Sequence, residues 1–133
     1  MSVEDDKDIY ENSYYRFIEV VEILAASPDE ACERVGYFNV AFEIKRDLEA
    51  GLYLFNYAGC PLSSAQRAAI ADLVEALKLI PEQVFNFTCV REQSLERLQH
   101  PAWVPLREQA SRLLSLLQPA TDANEKYLWA NGK

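Results

Sequence analysis

Tyr10-Glu11-Asn12-Ser13-Tyr14-Tyr15-Arg16-Phe17-Ile18-Glu19-Val20-Val21-Glu22-Ile23-Leu24 is the stretch on which the fold turns. Tyr10, Tyr14, Phe17, Val21 and Leu24 recur at intervals of four, three, four and three residues. That repeat belongs to one face of an α-helix, not to the two-residue alternation of a strand. Ile18 and Ala25 widen the stripe, while Glu11, Asn12, Arg16, Glu19 and Glu22 fall mostly on other faces. Carboxylates crowd the start of the segment, where the positive end of a helix dipole favours them.

Helical signals continue outward from this stretch. Ser27-Pro28-Asp29-Glu30 stops one helix and starts the next, with Ser27 as cap, Pro28 in the first helical position and Glu30 at the third. A second helix is expected from Pro28 to about Ala50, with Ala31, Val35, Phe38 and Phe42 on its apolar face and Gly36 as a weak point inside it. Gly51 either ends that helix in a left-handed conformation or lets Leu52 and Phe55 continue its spacing. Residues 52–57 also have strand character, but no convincing second strand exists to pair with them, so helix or irregular structure is the expectation. A loop at Gly59-Cys60-Pro61 precedes the capping box Ser63-Ser64-Ala65-Gln66, which opens a helix with the stripe Ile70, Leu73, Val74, Leu77, Ile80.

The second half is less regular. Pro81 to His100 reads as a helix that breaks near Phe87-Cys89, and Pro101 and Pro105 bracket a turn. Trp103, Leu106, Ala110, Leu113 and Leu117 restore the three-four spacing, Pro119 closes that helix, and Tyr127-Leu128-Trp129 suggests a short docking helix in the tail. The chain therefore reads as all-α, a single antiparallel bundle of about five helices. Residues 1–8 are expected to be a flexible acidic N-terminus and residues 9–133 one helical domain. The expected core is Phe17, Val21, Phe38, Phe42, Ile70, Leu73, Leu77, Leu113 and Leu117.

Charge is distributed unevenly. The net charge is -8 over 133 residues, and ten carboxylates against Lys7 and Arg16 place all of it in residues 1–33. The remaining residues balance. A field of that kind repels nucleic acid and anionic lipid and steers a basic partner to one side of the molecule. Half of the residues are hydrophobic and 11% aromatic, enough for a packed core. No apolar run approaches the ~18 residues of a membrane helix, and the start is the opposite of a signal peptide, so a cytoplasmic location is expected.

No catalytic residue, metal ligand or cofactor is assigned. Cys32, Cys60 and Cys89 are scattered and odd in number, and are expected to be reduced thiols buried as small hydrophobes. His100 precedes a proline at a segment junction and reads as a cap or loop residue. Glu19 with Glu22, Glu30 with Glu33 and Glu43 with Asp47 have the spacing of helical carboxylates that hold Mg2+. Glu30-Ala-Cys-Glu33 resembles the E-x-x-E of the all-helical nucleotide pyrophosphohydrolases. The resemblance implies an E-x-x-D on the next helix, and this chain departs from it: three residues after Glu43 stands Arg46, and Asp47 is one residue late.

The preferred expectation is a small protein-binding protein. Its concrete form is a bacterial immunity- or antidote-type inhibitor that covers a basic toxin or enzyme through its acidic N-terminal helices. Glu11, Glu19, Glu22 and Glu33 are the expected contact carboxylates, and Tyr15 the aromatic anchor, because adjacent tyrosines cannot both face inward. The alternatives are the Mg2+-dependent pyrophosphohydrolase and a self-associating structural or regulatory subunit with apolar contacts; should the acidic face not bind, an apolar interface such as the Trp103 or Trp129 region is expected instead. The partner's identity and the oligomeric state are left open.

Overall fold

Tyr10, Tyr14, Phe17, Val21 and Leu24 are all buried, and the helix that carries them is the hub of the structure. The computed structural model describes residues 3–130. Among these, seven α-helices and three short 3-10 turns follow one another with no strand. The α-helices are α1 (Val3–Ala25), α2 (Pro28–Val35), α3 (Val40–Ala50), α4 (Ser64–Ala76), α5 (Arg91–Leu98), α6 (Trp103–Leu116) and α7 (Gln118–Ala130). The fold is all-α, with seven helices where about five were expected. Helix α1 begins inside the segment read as a flexible end; residues 1 and 2 lie outside the described residues.

At 23 residues α1 is about 34 Å long, enough to meet several neighbours along its stripe. It packs against α2, α3, α6, α7 and the 3-10 turn Gly51–Asn56, while α4 covers α6 and α5 covers α2 and α3. Of the nine expected core residues, Phe17, Val21, Ile70, Leu73, Leu77, Leu113 and Leu117 are buried. Trp103 joins them at 0% exposure, its indole Nε1 donating to the Arg97 carbonyl at 2.9 Å and its ring meeting Phe85 edge-on.

Phe38 and Phe42 are the exceptions, at 49% and 41% exposure. The expected single helix over residues 28–50 is two helices. Gly36 takes φ 102° and caps α2, with its N–H and that of Tyr37 both reaching the Cys32 carbonyl. Tyr37 and Asn39 are also left-handed, at φ 59° and 49°, and the Asn39 N–H is held by the Thr88 carbonyl. Phe38 is thereby turned out of the helical register and packs edge-to-face on Phe87.

Gly51 has φ -60°, so it is not a left-handed stop; the chain passes on into the Gly51–Asn56 turn. A Cβ there would run into the Phe17 ring, so the residue is small for space. The capping box is formed reciprocally: Ser63 Oγ accepts the Gln66 N–H at 3.1 Å and Gln66 Oε1 accepts the Ser63 N–H at 2.8 Å. Between Ile80 and α5 there is only a 3-10 turn, Glu82–Phe85, followed by extended backbone. Pro119 lies in the first turn of α7, and the expected short tail helix is 13 residues long.

Candidate functional site: the α1–α7 cleft

Two polar contacts fix α7 on α1. Tyr14 shares a hydrogen bond of 2.8 Å with the Thr121 hydroxyl, and Asn124 donates to the Glu11 carboxylate at 2.6 Å and to the Glu11 carbonyl at 2.7 Å. Tyr14 is 1% exposed, and burial pushes its phenol up to about 12. The hydrogen bond with Thr121 opposes that rise, while the charges of Glu11 and Asp122 add to it.

This docking leaves an open groove beside the contact. Tyr15 lies one residue on from Tyr14 and about 100° around the helix, so it faces out. It is 49% exposed and borders two hollows. The larger, 640 Å³, lies among Asn12, Tyr15, Glu125, Lys126, Leu128 and Trp129. The smaller, 290 Å³, adds Glu19, Glu22 and Arg34 around the same Tyr15 and Glu125. Trp129 is 85% exposed at the outer end. Glu19, Glu22 and Glu125 make no ion pair among the described residues, whereas Glu33, Asp47, Glu49 and Glu75 each have a cationic partner.

Of the five expected contact residues, Tyr15, Glu19 and Glu22 come together in this groove. Glu11 does not: it is 8% exposed and is spent on Asn124 inside the fold. Glu33 is exposed on α2 but belongs to a separate cluster, accepting from the Tyr37 hydroxyl at 3.1 Å and pairing with Arg91 at 3.8 Å. Glu125 and Trp129 were missed as companions of Tyr15. Their spacing of four residues puts them on one helix face, but only the docking of α7 brings that face to α1.

A third hollow, of 510 Å³, lies across α1 between Arg16, Glu19, Asp47, Tyr53 and Tyr57. Among the described residues no group of three or more His, Cys, Asp or Glu is placed to hold a metal ion. Glu30 is exposed in the first turn of α2, where its N–H is capped by Ser27. His100 is a loop cap, its Nδ1 accepting the Ala102 N–H at 3.0 Å. All three cysteines are free; Cys32 is buried, but Cys89 is exposed, contrary to the expectation for it. Among the described residues no helix is long and apolar enough to cross a membrane. No family model matches the chain, and neither a curated protein nor a solved structure matches it.

Proposed function

We propose that this chain is a protein-binding protein of the cytoplasm that covers a basic site on its partner, in the manner of an immunity- or antidote-type inhibitor. The observation that carries this reading is the groove in which Tyr15, Glu19, Glu22 and Glu125 meet with no internal cation paired to their carboxylates. Most charged surface residues are solvated individually. Here three carboxylates and an exposed ring share one concave surface, and α1, which lines it, carries an excess of acids over Lys7 and Arg16. Such a surface accelerates encounter with a basic protein and is screened over ~8 Å at physiological ionic strength.

The test is quantitative binding to a purified basic partner, such as the product of a neighbouring gene, as salt is raised. Affinity should fall with salt, and Glu19→Lys with Glu22→Lys should weaken it at least tenfold. Surface changes of this sort move stability by no more than about 0.5 kcal/mol. Salt-insensitive binding that the double variant leaves unchanged would remove the reading.

Self-association is a second reading, supported by a different surface. Phe38 and Phe87 stack edge-to-face at 5.6 Å while staying 49% and 68% exposed, and Val90, three residues after Phe87, is 44% exposed. Sedimentation across a concentration series tests it: a species that stays monomeric throughout excludes it. Nothing in the placement of Glu30, Glu33, Glu43 and Asp47 favours the pyrophosphohydrolase reading.

A further inference from the structure

The groove holds more than negative charge. Its two exposed rings, Tyr15 and Trp129, line the same 640 Å³ hollow, and Glu125 sits between that hollow and the carboxylates of Glu19 and Glu22. Trp129 is a large apolar side chain left 85% exposed, which its packing does not require. One functional group satisfies a flat aromatic face and a carboxylate at the same time. A guanidinium is planar, stacks on indole and phenol rings, and still points its N–H fork at an acid. An ammonium is a compact, strongly hydrated point charge and gains less from the rings.

The chain contains its own example of that arrangement. Arg91 lies 4.1 Å over the Tyr37 ring and 3.8 Å from the Glu33 carboxylate, at an exposed site on α2 and α5. In the groove the ring and the acids are present with no arginine paired to them among the described residues. Arg34 and Lys126 border it, yet neither pairs with Glu19, Glu22 or Glu125. We infer that the α1–α7 groove is a seat for an arginine side chain on the basic partner, stacked between Tyr15 and Trp129 and paired with Glu125, with Glu19 and Glu22 receiving neighbouring basic residues. This rests on the acidic-surface reading above and adds to it the residue type recognised and the part played by α7.

Nona-arginine and nona-lysine peptides, equal in length and charge, serve as probes. Trp103 is fully buried, so a change in tryptophan emission on titration reports Trp129. Nona-arginine is expected to shift that emission and to bind about fivefold tighter than nona-lysine. The preference should fall to within about twofold in Trp129→Ala and in Tyr15→Ala, while Glu19→Gln with Glu22→Gln should weaken both peptides together. Equal binding of the two peptides overturns the arginine seat and leaves the acidic surface standing. An arginine preference that survives Trp129→Ala and Tyr15→Ala overturns the seat as well. Failure of both peptides to bind at low salt overturns both readings. An emission shift with protein concentration alone puts a second copy of the chain on Trp129 and also overturns the inference.

Discussion

Asn124 and Glu11 stand 113 positions apart in the chain, and Asn124 Nδ2 lies 2.6 Å from Glu11 Oε2 and 2.7 Å from the Glu11 backbone oxygen. Both are nearly enclosed, at 3% and 8% exposure. A carboxylate so covered relies on its donor, and removing the donor leaves the acid desolvated and unanswered. Asn124→Ala is therefore expected to cost ~2 kcal/mol, the range for hydrogen bonds to charged groups. Glu11→Gln keeps an acceptor and should cost less than half of that. Urea denaturation of the two variants checks the order, and equal losses would contradict it.

Gly51 against Phe17 makes a different prediction. Its φ of -60° suits any residue, so the usual argument for glycine does not apply. What excludes a side chain is the Phe17 ring, which a Cβ would strike. Gly51→Ala should destabilise by ~1–3 kcal/mol through overpacking. Adding Phe17→Leu should recover part of the loss, because the obstructing ring is gone. Strict additivity of the two changes in thermal melts would refute this account.

Alkaline pH should unfold the protein through Tyr14 and Tyr10. Burial is the main cause in both, pushing Tyr14 up to about 12 and Tyr10 higher still. Above pH ~10 the unfolded chain releases these protons while the native state keeps them. The stabilisation is thus complete below pH ~10 and is lost as pH rises toward 12, at ~1.4 kcal/mol per pH unit for each retained proton. Melting temperature against pH, with tyrosinate absorbance recorded alongside, gives the check. Tyr14→Phe should flatten the decline between pH 10 and 12 while lowering stability at neutral pH, since the bond with Thr121 is lost.

The three thiols should react in order of access. Cys89 is exposed, Cys60 partly covered and Cys32 buried. Burial pushes the Cys32 thiol up, and the Asp29 and Glu33 carboxylates add to the rise, so little thiolate is present at neutral pH. Labelling of the native protein should show Cys89 modified first and Cys32 last, collapsing to comparable rates in denaturant. A fast Cys32 in the folded state would contradict the packing of α2.

What the sequence disclosed follows physical range. The stripe of α1, the Ser63–Gln66 box and the spacing from Trp103 to Leu117 are local, and each is formed as read. The break at residues 36–39 is not local: Gly36, Tyr37 and Asn39 are left-handed and the Asn39 N–H is anchored by the Thr88 carbonyl, nearly fifty positions away, so a helical spacing that runs through Phe38 does not reveal it. Glu11 looked like a surface acid because nothing near it in sequence indicates Asn124. Tyr15, Glu19 and Glu22 were legible as a face of one helix. Glu125 and Trp129 complete the groove only through the docking of α7, which no spacing within α7 encodes.

The bond network between Tyr14 and the α6–α7 junction spans 103 to 107 positions. During synthesis at ~5–20 residues per second, α1 therefore waits about 5 to 20 s before α6 and α7 emerge to cover it. Throughout that interval α2, α3 and the Gly51–Asn56 turn can cover only their own share of its stripe, and the face that α6 and α7 will bury still meets water. A ribosome that stalls before α6 releases a chain whose longest helix is complete but only partly covered, so interrupted translation products of this protein show water an apolar face that the finished fold hides.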